Sequence, residues 1–128
     1  MKEEMQPDIN LPTDQLTIVS WSDPVIDSIG HDPRSRYVEA FWLGVLGPST
    51  TWLLRYIADE LEAQPAGVII DLAEVARRIG LATGGRRSRF EKSFARLVQF
   101  DLAQQRGERV LAVRRSVPTL GARHVKRL

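Results

Sequence analysis

Arg86, Arg87, Arg89, Lys92 and Arg96 stand close together in the C-terminal half of the chain. Spacings of three, four and seven put Arg89, Lys92, Ser93, Arg96 and Gln99 on one face of a helix, opposite Phe90, Phe94 and Leu97. A row of guanidinium and ammonium groups meets anions. Arg and Lys donate to phosphate oxygens and, in a major groove, to guanine O6 and N7. The N-terminal residues of a groove-reading helix reach furthest toward base edges. Arg89, Lys92 and Ser93 are therefore expected near bases or adjacent phosphates, with Arg96 behind them. Arg86 and Arg87 precede a helix start at Ser88 and are expected on phosphates, helped by the free backbone N–H groups there. Arg106 and Arg109 form a second basic site at a turn, and Arg114 and Arg115 a third.

A different chemistry is suggested by Asp23, Asp27, His31 and Asp32, which share one loop. Carboxylates and an imidazole together bind metals or move protons. The only other histidine is His124, and no H-E-x-x-H, phosphate-cradling glycine loop or G-x-S-x-G is present. Asp before Pro or Gly is ordinary turn chemistry, so turn and cap roles are the favoured reading. Ser49-Thr50-Thr51 reads as a helix start with no base placed to activate a hydroxyl. No catalysis, no metal and no cofactor is expected.

The basic sites belong to a chain whose charge is divided. Through Gln64 four cations face eleven acids, a net −7; from Pro65 onward fourteen face five, a net +9. The overall +2 thus hides a C-terminal half suited to a polyanion, most simply nucleic acid. With 128 residues, 43% hydrophobic, the chain can bury a core unaided. It has no cysteine, which excludes disulfides, thiolate catalysis and cysteine zinc sites. No signal peptide is recognisable and no stretch approaches the roughly 20 apolar residues of a membrane span. The expected location is cytoplasmic, with no membrane partner.

The elements that position these residues are legible in outline. Residues 1–15 read as a flexible polar arm, Leu16 to Val19 as a short strand, and 22–33 as a loop broken by Asp23-Pro24, Gly30 and Asp32-Pro33. Asp32 and Pro33 suit the start of a helix whose apolar face is Tyr37, Phe41 and Val45, with Val38 and Trp42 alongside, ending near Gly47. Pro48 starts another, with Trp52, Leu53, Tyr56, Ile57 and Leu61 buried. Val68-Ile69-Ile70 reads as a strand. Asp71 to Glu74 has capping-box spacing and opens a helix ending at Gly80. A flexible glycine-rich connection follows, then a second capping box, Ser88 to Glu91. After Phe100, Gln104 to Glu108 is turn-like and Val110 to Arg115 a return strand that Pro118 ends. Residues 120–128 read as a short basic helix.

Helix, strand, helix, connection, helix and hairpin over roughly Pro48 to Arg115 resembles the winged helix-turn-helix DNA-binding domain. The connection from Gly80 to Arg87 is longer than the 3–4-residue turn of a compact motif. The stretch around Gly30-His31-Asp32-Pro33-Arg34-Ser35 and Phe41-Trp42-Leu43-Gly44-Val45-Leu46-Gly47-Pro48 also resembles small uncharacterised actinobacterial proteins, a likeness that carries no mechanism. The implied fold is α+β: a winged helix over 48–128 with a short tail, its short strand paired to the hairpin wing, preceded by an arm (1–15) and an extension with one helix (16–47). The implied function is double-stranded DNA binding, as a transcriptional regulator or accessory chromosome protein. The contact set is Arg86, Arg87, Ser88, Arg89, Lys92, Ser93, Arg96, Arg106, Arg109, Arg114 and Arg115. Alternatives are a protein–protein interaction module and an RNA- or ribosome-associated protein. The aromatic residues of the acidic half read chiefly as core, with a homodimer or protein-partner interface as the alternative.

Overall fold

The computed structural model describes residues 9, 11, 12, 14–80 and 89–120. The fold is α+β: helices against a four-stranded sheet of order β2-β1-β4-β3. Strand β1, Gln15–Trp21, is the predicted N-terminal strand, longer at both ends. It buries Leu16 and Ile18 on its inner side. Strand β2, Val68–Asp71, pairs antiparallel to β1, and β4, Val110–Arg114, pairs parallel to β1. Strand β3, Ala103–Gly107, completes the hairpin with β4.

This order corrects the expected pairing. The short strand β2 does not meet the hairpin, because β1 lies between them. A segment read as part of an extension is thus interior to the sheet. Ile9, read as part of a flexible arm, is buried in the core. The expected turn at Gln104 to Glu108 is mostly strand β3, with a register shift between Gln105 and Gly107. Arg109 lies in the tight turn, whereas Arg106 sits on the bulged strand behind it.

The loop expected over 22–33 holds a short helix, α1, Pro24–Ile29. Asp23-Pro24 reads as a breaker but serves here as N-cap and first helical residue. Asp23 Oδ1 accepts from the Val25 and Ile26 N–H groups at 3.2 Å. Asp32 starts no helix; its carboxylate accepts from the Arg34 backbone N–H at 2.7 Å and holds the Arg34 side chain.

The next helical segment winds as a π-helix over Val38–Trp42 before the short α2, Leu43–Leu46. Each π turn takes an extra residue, which rotates the face expected from α-helical spacing. Val38, Trp42 and Val45 of the expected face enter the core together with Leu46, while Phe41, expected inside, is 55% exposed. Gly47 turns the chain at φ +85° and ψ 163°, a conformation open essentially to glycine alone. Helix α3, Pro48–Ala63, then buries Thr50, Thr51, Leu53, Leu54, Ile57, Ala58 and Leu61. Trp52, also expected inside, is 60% exposed.

Helix α4, Leu72–Arg78, is capped by Asp71, whose Oδ1 accepts from the Glu74 N–H at 3.1 Å. Only half of the expected capping box forms, because the Glu74 carboxylate is held by Arg77 and Arg78. Helix α5, Arg89–Gln99, follows. It packs on α3 and buries Phe90, Phe94, Ala95 and Leu97. The chain leaves β4 as a strap over the 31–42 region. His31 and Val117 exchange backbone hydrogen bonds, Trp42 Nε1 donates to the Pro118 carbonyl at 3.0 Å, and the Leu120 N–H donates to Tyr37 Oη at 2.8 Å. Gly30 fits beneath this strap because a Cβ there would lie 2.9 Å from the Val117 carbonyl oxygen. The predicted basic helix beyond Leu120 falls outside the described residues.

Candidate nucleic-acid interface

The amphipathic pattern of α5 decides what it offers to solvent. Phe90 and Phe94 lock one face into the core, their rings edge to face at 5.1 Å between centroids. On the other side Arg89 and Lys92 are exposed, and neither has a carboxylate partner among the described residues. They lie three residues apart, one turn of the helix, so the two charges share a face.

Two expected members of that face are elsewhere. Ser93 is only 3% exposed, and its hydroxyl donates to the Arg89 carbonyl at 3.0 Å. Its small side chain fits where the helix meets the core, so Ser93 is removed from the contact set. Arg96 is half-buried; its Nη2 donates to the Val45 carbonyl at 3.2 Å, and its guanidinium lies 6.0 Å from the Phe100 ring centroid. It caps an orphan carbonyl at the end of α2 and faces protein instead of solvent. Arg86, Arg87 and Ser88 lie outside the described residues.

The hairpin supplies the second basic site. Arg106 is exposed, with Nε donating to Gln104 Oε1 at 3.0 Å. Arg109 pairs with Asp14 at 2.9 Å, an exposed contact across which this guanidinium holds the Asp14 carboxyl below its ordinary range. Arg115 is half-buried and its charge bears on Asp32. Arg114 departs most from expectation. Its side chain is 13% exposed, stacked 3.8 Å above the Trp21 ring and paired with Asp23 at 3.1 Å. A guanidinium so enclosed is not an anchor for an external phosphate.

Several other cations are matched by acids, although Arg36 is exposed with no carboxylate partner among the described residues and Arg55 donates to the Pro33 carbonyl. Arg34 donates to Asp32, Asp59 and Glu62, and these three raise its pKa. Glu74 shares its two oxygens between Arg77 and Arg78, at 2.7 and 3.0 Å, and is held below the ordinary carboxylate range by them. These two exposed arginines were not singled out from sequence. The Glu-to-Arg spacing of three and four was the available signal, and it indicates pairing. The acids around His31 are likewise engaged. Asp23 caps α1, its carboxyl lowered first by the Ile26 N–H and then by Arg114. Asp27 accepts from the Asp23 N–H at 3.2 Å. His31 itself stacks on Tyr37 at 3.8 Å. Among the described residues no group of three or more His, Cys, Asp or Glu is arranged to hold a metal ion. No described helix is long and apolar enough to cross a membrane.

No family model, curated protein or solved structure matches this chain.

Proposed function

We propose that the chain binds double-stranded DNA through a winged-helix-like arrangement, as a transcriptional regulator or accessory chromosome protein. Helix α5 lies in the groove, and the β3–β4 hairpin lies along the backbone. Arg89 and Lys92 address bases or the nearest phosphates. Arg106, and Arg109 once released from Asp14, neutralise phosphates. Arg86 and Arg87 remain part of the proposal on sequence grounds. The observation that carries it is the exposed pair Arg89 and Lys92, without carboxylate partners among the described residues, on a helix whose opposite face is fixed in the core, in a molecule that pairs Arg34, Arg77, Arg78, Arg109 and Arg114 with acids. Unmatched cations at adjacent helical positions suit a ligand that brings its own regular array of anions. The order α3, β2, α4, α5, hairpin supports the winged-helix likeness; insertion of β1 beside β4 is this chain's own variation on it.

Fluorescence anisotropy with a mixed-sequence duplex at several salt concentrations tests the reading. Each neutralised phosphate contributes about −0.9 to the slope of log K against log salt. Four contacts, from Arg89, Lys92, Arg106 and Arg109, would give a slope of roughly −3.6, and Arg86 and Arg87 would add about −1.8 to it. No binding at low salt sinks the DNA reading. The second reading, a protein partner, is favoured by the exposed Phe41 and Trp52, and substitution of those two residues would then abolish association.

A further inference from the structure

The enclosure of Arg114 has a function if the chain binds a duplex at all, and the inference rests on that reading. Arg114 ends β4 and joins elements distant in sequence. Its Nε donates to the Asp101 carbonyl at 2.7 Å, its Nη1 to Asp23 Oδ2 at 3.1 Å, and its guanidinium lies over Trp21, the last residue of β1. Its backbone N–H donates to the Leu102 carbonyl at 2.9 Å.

Asp101 is the corner at which α5 turns into the hairpin. The Leu102 N–H bonds the Leu97 carbonyl at 2.9 Å and the Asp101 N–H bonds the Val98 carbonyl at 3.1 Å. These are the paired bonds of a Schellman stop, with Asp101 in the left-handed position at φ 62°. A non-glycine residue there is uncommon, and the conformation persists when its surroundings hold it. The Arg114 guanidinium grips the carbonyl of that residue. The angle at which α5 departs from β3 is thereby tied to β4, β1 and the α1 cap together.

We propose that Arg114 is a positioning residue for duplex binding: it sets the angle between α5 and the hairpin so that Arg89 and Lys92 on one element and Arg106 on the other engage the same duplex. Two weak contacts gain from each other only while geometry lets both engage at once. Lysine keeps the charge of Arg114 but loses the planar fork and the stack, so Arg114→Lys relaxes the angle without removing a cation.

The test is a double-mutant cycle read by anisotropy at several salt concentrations, on wild type, R114K, R106A and R114K/R106A, with R89A/K92A as reference. Circular dichroism verifies that each protein is folded. R114K is expected to weaken binding about ten-fold and to make the salt slope shallower by about 0.9, because the Arg106 phosphate contact that it aligns is lost. In the R106A background the same change is expected to cost about two-fold or less, since the hairpin contact it aligns is already gone. Asp23→Asn, which keeps an oxygen for the α1 cap, serves as a second route and is expected to act in the same direction on affinity and slope.

A slope made shallower by a further 0.9 or so when R114K is added to R106A would mean direct phosphate contact by Arg114 and overturn the proposal. So would an equal loss in both backgrounds, or unaltered affinity in both R114K and D23N. If wild type and R89A/K92A bind duplex equally poorly, the DNA reading fails and this inference with it. If R89A/K92A loses binding while R114K and D23N do not, the positioning role alone fails.

Discussion

Arg34 and Arg89 carry the same guanidinium and are used in opposite ways. Around Arg34 the fold spends the charge on itself: Asp32, Asp59 and Glu62 converge on one side chain and fasten the 32–34 turn to α3. Arg89 forms no ion pair with a carboxylate among the described residues, although Glu91 shares the first turn of α5, and Lys92 is one turn away. A matched cation contributes to holding its own fold, whereas an unmatched pair on a rigid helix is available to a ligand. Counting basic residues along the chain treats both regions alike. Only the positions of the carboxylates distinguish them.

The sharpest way to test the division is within α5. Phe94→Ala should lower unfolding free energy by about 3–5 kcal/mol, read by urea denaturation, because a fully buried ring is replaced by a cavity. The R89A/K92A double variant should lose roughly 2–4 kcal/mol of duplex binding while stability moves by no more than about 0.5 kcal/mol. A comparable loss of stability there would place the two residues on the Arg34 side of the comparison. Arg34→Met should show the converse: roughly 1–2 kcal/mol less stability, after allowing for its partly exposed partners, and unchanged duplex affinity.

Acid separates the regions in a second way. Asp14, Asp23, Asp32 and Glu74 are all held below their ordinary values by cations or backbone N–H groups. A depressed folded-state pKa contributes stability that is present above the unfolded value and lost as pH falls through the folded one. Thermal unfolding should therefore occur at progressively lower temperature as pH drops through and below the ordinary carboxylate range. Arg34→Met should flatten that dependence, and R89A/K92A should leave it unaltered. The smallest expected effect is at Arg109. Asp14→Asn releases its charge and should strengthen duplex binding by about two- to five-fold, with a steeper salt slope. Weaker binding in that variant would show that Arg109 does not join the interface.

Short-range patterns in the chain were sufficient for β1, α3, β2, α4, α5 and β4. Each rests on neighbours within a few residues: capping Asp71, the turn at Gly47-Pro48, and apolar spacings such as Phe90 to Phe94 and Leu97. The same logic misread Asp23-Pro24, where a cap and first helical residue look like a break. It also placed Phe41 inside, because a π turn cannot be read from a spacing rule that assumes 3.6 residues per turn. Of the proposed contact residues, Arg89, Lys92 and Arg106 are exposed where the pattern placed cations, although Arg106 lies on a strand and not in a turn. Ser93, Arg96 and Arg114 turn inward.

By itself, then, the sequence determined the helical and strand segments, the charge division between its halves, and the amphipathic character of α5, because these depend on residue type and local spacing. Tertiary structure alone decided that β1 enters the sheet between β2 and β4, and which cations among the described residues have no acid partner. The reason is distance along the chain: Asp14 meets Arg109, Asp23 meets Arg114, and Val45 meets Arg96 only after the core has closed.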